Sequence, residues 1–396
     1  MPIFVILQLL VLIPVLGGAV YSLLCLFAAV CVRCEVRAHS SLKTDLRNFS
    51  AWPPVTVLKP VCGAEKHQRE NLLSVCVQDY PEFQIVFSVQ DANDSALPLL
   101  FELQKEFGQD RVTVVVENFQ AGTNGKINNM IGGLRHARYD ILVISDSDVR
   151  MNPDYLKTIV APFGEADVGC VCTFYKAVGA DVWYEKLELL TLNADFMTNV
   201  IFAHVSGASK FCLGASAAIR RSTLEEIGGF EDLSDYLVED YEMGRRVWER
   251  GEKVVTVPYF VDTIVDVKSP SAWWGHQVYW DQNTRAARPL GFLFTVLVRS
   301  VPFAFLFAAM RFCDHVGLAV LIGALCVRLV ASAFILRYGL RDLEGARSLW
   351  LLPVRDLSSL ATWLLAFTQK TTVWRGASFI LTKDGRLVAR ESGGEP

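Results

Sequence analysis

The clearest chemical candidates are charged residues set down at the ends of apolar runs. Residues 141–145 are a short strand-like run followed at once by Asp146, Ser147 and Asp148. Two carboxylates one residue apart at the exposed end of a buried strand suit a hard divalent cation. Such an ion takes oxygen ligands and keeps water or phosphate oxygens in its other positions. A lone pair of this kind is also common in solvated turns; the preceding apolar strand is what favours the metal reading. The run 55–58 ends in Lys59 and Pro60, and the run 85–89 ends in Gln90 and Asp91. Glu239 and Asp240 precede an apparent helix over 242–250. They either complement its dipole or, for Asp240, supply a general base. Moving a group from a diphosphate to an alcohol needs one carboxylate near the hydroxyl and a metal on the leaving phosphate. Residues 122–126 are glycine-rich and end in Lys126 but lack the Lys-Ser/Thr close of a P-loop. The diphosphate is then held by metal and Lys126, unless Lys126 is a plain surface lysine.

The elements that must position these groups alternate in type. Strand-like runs at 55–58, 84–89, 112–116 and 141–145 are separated by helical patterns at 68–77, 96–107 and 128–136. Such alternation predicts βαβ crossovers and a mainly parallel sheet. Ligands bind beyond the carboxyl ends of such strands, where Lys59, Asp91, Asp146 and Asp148 all fall.

The 396 residues are 52% hydrophobic and 20% charged, with mean hydropathy +0.30. That balance implies an ordinary α/β domain joined to apolar spans. A net charge of −4 gives no general attraction to nucleic acid. Residues 3–32 carry no Asp, Glu, Lys or Arg. As a helix they reach about 45 Å, more than a bilayer core of roughly 30 Å, and the run is too long for a signal peptide. It is read as an anchor. Arg33, Arg37, Lys43 and Arg47 follow it and place what comes next in the cytosol. A second apolar cluster covers 289–310, with helix-bending Pro302, then 316–336 and 351–367. The last is flanked on both sides by basic residues, among them Arg337, Arg341, Arg347, Lys370, Lys383 and Arg390, so a re-entrant or interfacial segment fits it better than a single crossing. Arg299, Arg328 and Arg355 within this cluster either snorkel or pair inside the bundle, and packing is favoured over contact with a lipid phosphate or sugar. Residues 187–201 mix apolar and acidic side chains and read either as an interfacial helix or as core. The ten cysteines include no zinc-spaced set, and Cys170 and Cys172 read as alternation along a strand.

Over most of its length the chain resembles the ceramide glucosyltransferase family of membrane GT-A glycosyltransferases. The motifs run in the family's order: residues 57–60 ending in Lys59-Pro60, 88–91 ending in Asp91, 125–129 with Lys126, 139–142 with Asp146 beyond, Gly214-Ala215-Ser216, and Glu239-Asp240-Tyr241. Trp374, Arg375 and Gly376 match its C-terminal pattern. The resemblance implies a Rossmann-like GT-A fold and a UDP-sugar donor. It makes Asp91 a uridine contact, Asp146 and Asp148 the site of Mg²⁺ or Mn²⁺, Lys126 a neighbour of the donor phosphates and Asp240 the catalytic base. Lys59, Gly214, Ser216 and Glu239 are carried over with the donor-binding motifs. The family's membrane-proximal motif, Gln/Arg-x-x-Arg-Trp, has its nearest match at residues 276–280. There Trp280 fits, while His276 and Tyr279 replace the usual residues, and Trp273 and Trp274 form an interfacial belt.

The expected organisation is an anchor at 1–34, a GT-A domain at 53–268, an interfacial acceptor segment at 269–288, transmembrane and re-entrant helices at 289–368, and a cytosolic tail at 369–396. The expected activity is inverting transfer of a hexose to a lipid hydroxyl at the cytosolic face of a bacterial inner membrane or of the Golgi or ER. UDP-glucose and ceramide are the first pairing. The His276/Tyr279 variant leaves open a hopanoid acceptor with UDP-N-acetylglucosamine. A processive polysaccharide synthase would need more spans for a polymer channel. A polyprenyl-phosphate sugar synthase fits poorly with an anchor that precedes the catalytic domain. An inactive sugar-nucleotide-binding scaffold is the alternative of another class, and the presence of all four aspartates, 91, 146, 148 and 240, speaks against it.

Overall fold

The computed structural model describes residues 2–42, 52–369, 371–374, 377–382 and 384–389. Lys43, Arg47, Lys370, Arg375, Gly376, Lys383 and Arg390 lie outside the described residues. The chain forms two compact units. Met1–Glu35, Val178–Ala208 and Val267–Ser378 make a helical unit; Val36–Ala177, Ser209–Asp266 and Phe379–Pro396 make an α/β unit.

The α/β unit is built on an eight-stranded sheet. Its strands are β1 (Val55–Pro60), β2 (Phe83–Val89), β3 (Val112–Val116), β4 (Ile141–Ser145), β5 (Val149–Arg150), β6 (Val168–Val178), β7 (Ser216–Arg220) and β8 (Lys253–Ile264), in the order β3-β2-β1-β4-β7-β6-β8-β5. β1 runs parallel to β2 and β4, and β2 runs parallel to β3. β1, β2 and β4 are buried at every residue, as expected of central parallel strands covered on both faces. Helices Gln68–Cys76, Leu97–Phe107 and Gly125–Leu134 make the crossovers. In the second, Leu97, Leu100 and Leu103 form the buried stripe, at the spacing a one-faced helix requires. The third starts at residue 125, three earlier than its apolar pattern at 128–136 indicates. Asn124 accounts for the difference: its side chain accepts from the backbone N–H groups of Lys126 and Ile127, a cap that starts the helix before its apolar face begins.

β7 departs from the parallel pattern. It pairs antiparallel with β4, setting Ser216 opposite Ser145 and Arg220 opposite Ile141. That register carries the chain just before β7 onto the carboxyl end of β4. At the end of the chain, strands Ala377–Leu381 and Leu387–Ala389 form an antiparallel hairpin. Its second strand reaches the residues just ahead of Glu239: Leu387 N–H donates to Asp235 O at 2.7 Å, and Leu237 N–H to Gly385 O at 3.0 Å.

In the helical unit, Ile3–His39 and His315–Leu340 are long and apolar enough to cross a membrane. Pro289–Val298 and Ser300–Met310, bent by 49°, add a third candidate if taken as one span. The break falls at Arg299, whose backbone is non-helical, and not at Pro302. A proline in the first turn of the following helix lacks an N–H that would be unbonded anyway, so Pro302 starts that helix and does not kink it. The mixed segment 187–201 is core. It runs through Trp183–Leu190, a π-turn at Thr191–Phe196 and Met197–Val205, and Leu187, Leu190 and Ala194 pack with Trp273, Leu336, Leu351 and Leu352. Arg328 and Arg355 of this unit pair internally, and Arg299 lies 3.8 Å from Asp281. Arg328 meets Asp356 at 2.9 Å, Arg355 meets Asp356 at 3.1 Å, and both arginines reach Asp195.

Candidate active site

The site grows from the turn that leaves β4. Asp146 N–H donates to Ala215 O at 3.2 Å, Val149 N–H to Asp146 O at 3.2 Å, and Ile264 N–H to Asp148 O at 3.1 Å. Each of these bonds fixes the backbone and frees the two carboxylates. Lys59 supports the turn from within the sheet. It is fully buried, and its ammonium donates to Ser145 Oγ at 3.1 Å, Asp146 O at 2.7 Å and Val149 O at 3.3 Å. Burial pulls its pKa down to about 8, against the pull of Asp148, Asp146 and Glu65. A lysine in a central strand is costly unless it is bonded, and here each of its three protons has a partner.

The cap at Asn124 sets Lys126 in a first helical turn, facing the β4 end. Its ammonium lies 2.8 Å from Asp146 Oδ1, 3.0 Å from Glu239 Oε1 and 3.3 Å from Gly214 O. Burial alone would lower the Lys126 pKa, but Asp146, Glu239 and Asp240 outweigh it and hold the group well above its ordinary value. Asn124 also donates its side-chain amide to Glu239 Oε2 at 3.2 Å, so one capping residue orients both the lysine and the acid it meets. Glu239 and Asp240 open the helix Glu239–Glu249. Gly214 is required beside them: a Cβ there would stand 2.7 Å from Asp240 Oδ2.

Six of the predicted site residues therefore converge: Lys126, Asp146, Asp148, Gly214, Glu239 and Asp240, with Lys59 beneath them. An apolar cleft lined by Ile127, Met130, Ile144, Phe230 and Met243 adjoins Lys126, Glu239 and Asp240. Ser216 sits within the sheet, fully buried, its hydroxyl 2.6 Å from that of Tyr155. Asp91 is exposed at the end of β2, accepting from Asn93 N–H at 2.8 Å. His276, Tyr279 and Trp280 belong to the helical unit, on helix Pro270–Ala287.

Sequence reasoning missed two contributors. Glu65 accepts from Ser147 Oγ at 2.9 Å and adds a third negative charge beside the turn. Tyr175 in β6 is buried, and burial together with Asp240, Asp146 and Asp148 raises its pKa well above the usual phenol value. Neither stands in a motif. The Asn124 cap has a signal, Asn ahead of a helix, but the expected helix start at 128 passed over it.

The charge balance bears on a metal. Five carboxylates (Glu65, Asp146, Asp148, Glu239 and Asp240) face two ammoniums (Lys59 and Lys126). Burial, then Asp146 and Glu65, pushes Asp148 up to about 7. Burial, then Glu239, pushes Asp240 up to about 7. Among the described residues no three His, Cys, Asp or Glu side chains form a closed metal cage. A site of two carboxylates short of positive charge fits a divalent cation that takes its other ligands from a diphosphate and water.

A family model described as Glycosyl transferase family 21 matches residues 15–387. Ceramide glucosyltransferase 1 of Caenorhabditis elegans is 29% identical over 221 residues, 55% of this chain and 46% of that protein. Probable glycosyltransferase YdaM of Bacillus subtilis is 25% identical over 253 residues, 61% of this chain and 56% of that protein. The chain spans about half the length of the curated relatives it matches. Among solved structures, the mannosyltransferase PcManGT from Pyrobaculum calidifontis, in complex with GDP-Man and Mn²⁺, superposes with a TM-score of 0.51. It is 16% identical, with 88% of this chain and 98% of that one covered. That likeness extends to the GT-A fold.

Proposed function

The chain belongs to glycosyl transferase family 21, and from that premise we propose that it transfers a hexose from a UDP-sugar to a hydroxyl of a membrane lipid, with inversion. Glucose and ceramide are the first pairing, in keeping with the relatives' names. The observation that carries the reading is the convergence of Asp146, Lys126, Glu239 and Asp240 at the end of β4.

Asp240 is the base. A carboxylate whose pKa is raised to about 7 is a stronger base than an ordinary aspartate and is still ionised in part at neutral pH. It takes the proton of the lipid hydroxyl, whose oxygen bonds to the anomeric carbon. The bond from that carbon to the diphosphate breaks, and its electron pair leaves on the UDP oxygen. Lys126 holds a fixed positive charge beside the departing diphosphate, and Asn124 keeps it and Glu239 in place. Asp91, at the same edge of the sheet, faces the uridine. Asp146 and Asp148 would hold Mg²⁺ or Mn²⁺, which neutralises charge on the leaving group. Arg33 and Arg37, toward the C-terminal end of the first apolar helix, support a cytosolic catalytic unit.

A second acceptor, a polycyclic hopanoid alcohol with UDP-N-acetylglucosamine as donor, stays open because His276 and Tyr279 replace the usual residues of the membrane-proximal motif. Asp240→Asn tests the core of the reading. It should bind UDP like the wild type and lose lipid glycosylation by on the order of 10²-fold or more, with product followed by mass spectrometry of lipids. Turnover near the wild-type level would remove Asp240 from the role of base. UDP binding without turnover on any lipid would favour the scaffold reading.

A further inference from the structure

Lys126 and Glu239 head two helices, and the donor chemistry does not explain what holds those helix starts together. The segments just ahead of them make the connection. Asn124 N–H donates to Ser234 O at 2.8 Å, and the Asn124 side-chain amide donates to Tyr236 O at 3.0 Å. Asp235 adds its carboxylate: Oδ1 accepts from Thr123 N–H at 2.9 Å and lies 3.1 Å from Thr123 Oγ1. Gly122 allows this closeness, since a Cβ there would stand 2.7 Å from Ser234 O and 2.6 Å from Asp235 Oδ1. Residues 235–237 belong to no strand of the eight-stranded sheet, so their main-chain groups need partners elsewhere. The C-terminal hairpin supplies them. Leu387 N–H donates to Asp235 O at 2.7 Å, Leu237 N–H donates to Gly385 O at 3.0 Å, and Tyr236 bridges Arg386 in antiparallel register. The Arg386 guanidinium lies 5.0 Å from the centroid of the Tyr236 ring, and buried Leu387 seats the strand.

Asp235 is thus the residue at which three remote stretches of chain meet. Its carboxylate holds 122–124, its carbonyl holds 385–387, and its own backbone leads into Glu239. We propose that Asp235 is a positioning residue for the transfer reaction, through which the C-terminal hairpin braces Lys126 and Glu239 against each other at the end of β4. It acts through the 3.0 Å pair of Lys126 and Glu239. A carboxylate suits the place. It only accepts hydrogen bonds, so it can take both donors of Thr123, and its charge makes those bonds the stronger kind. Thr123 directly precedes the cap that sets Lys126, so slack at Thr123 reaches the lysine within three residues. The proposal rests on the transferase reading above, in which Lys126 and Glu239 form part of the site.

The test uses the full chain in nanodiscs, with turnover normalised to the protein that binds UDP so that unfolded protein does not count. Asp235→Ala should lower kcat at least ten-fold, in line with the roughly 10²-fold that a displacement of about 1 Å costs. In a Glu239→Gln background the ion pair with Lys126 is already broken. There the same substitution should cost at least about three times less, because residues that act through one another are not additive. A loss below about ten-fold, or a ratio of the two losses below about three, would overturn the positioning role; a purely structural residue would cost the same in both backgrounds. If Asp235→Ala does not fold, Asp235→Asn takes its place, with a loss of about three-fold and a ratio of about two as the thresholds. Hydrogen exchange reads the hairpin without turnover. Leu387→Pro removes the N–H that Asp235 O accepts, and should speed exchange at residues 123–128 and 235–240 while β1 and β4 stay protected. Unchanged exchange in those two stretches, or loss of protection throughout the sheet, would overturn the hairpin's part in the brace. If the wild type glycosylates no lipid, the transferase reading fails by itself, and the exchange data still decide whether the hairpin holds the two helix starts.

Discussion

Gly214 gives the sharpest test of how the site is built, because its effect is a distance. A Cβ at residue 214 would stand 2.7 Å from Asp240 Oδ2, 3.0 Å from Asp240 Cγ and 3.2 Å from Asp240 Cβ, where ordinary contacts begin at 3.4 Å. The carboxyl group of Gly214→Ala must therefore retreat by about 0.7 Å. Rotation about χ1 can relieve the oxygen but not the Cβ contact, so the helix start moves with it. Misplacing a reacting group by about 1 Å costs on the order of 10²-fold. Gly214→Ala should accordingly lower kcat by roughly 30- to 100-fold, about 2–2.7 kcal/mol in the barrier. The stability cost should stay under about 2 kcal/mol, the usual range for one added methyl that its neighbours can absorb. The assay pairs UDP release from UDP-glucose in the presence of lipid with UDP binding by calorimetry and a thermal midpoint. Turnover within two-fold of wild type would refute the placement of Asp240. Equal losses of UDP binding and turnover would also refute it, because they would mean collapse of the donor site and not displacement of one carboxylate.

Chelation by EDTA should abolish turnover, Mg²⁺ or Mn²⁺ should restore it, and Asp146→Asn should weaken the restoring ion's apparent affinity. For the metal-free protein the sign of the pH dependence follows from Asp148 and Asp240, both raised to about 7. Between their unfolded values near 4 and about pH 7 the native state binds more protons, so stability falls as pH rises through that window and levels off above it. Asp148→Asn should flatten the fall, seen as thermal midpoints in EDTA from pH 5 to 8; a midpoint that climbs over this range would contradict it. In the helical unit, Arg328→Met leaves Asp356 and Asp195 short of a partner in a buried network and should cost about 3 kcal/mol or more. Arg328→Met combined with Asp356→Leu should recover part of it, as read by unfolding in detergent.

Much of the α/β unit was legible from the sequence. The β-branched runs at 55–58, 84–89, 112–116 and 141–145 became β1 to β4; β1, β2 and β4 are central parallel strands, which need apolar side chains on both faces, while β3 lies at the edge and is only partly buried. Acids and lysine at their carboxyl ends marked the ligand edge, since that is where polar groups can leave a buried strand without losing water. The first apolar run and the 316–336 run likewise declared themselves by length alone. What stayed hidden depended on contacts between segments remote in sequence. The antiparallel register of β7 brings Gly214 against Asp240. The Asn124 cap turns Lys126 onto Asp146 and Glu239. Lys59, one charged residue within an apolar strand, proves to be a fully bonded strut. Asp235 reads as one acid in a loop until packing sets it between Thr123 and Leu387. Periodicity records which face of an element is apolar; it does not record which element that face will meet. The sequence by itself therefore determined most of the elements, the long apolar helices and the chemical types at the sheet edge. Only the tertiary structure decided which charges share a site, because charge pairing and burial are properties of distance in space.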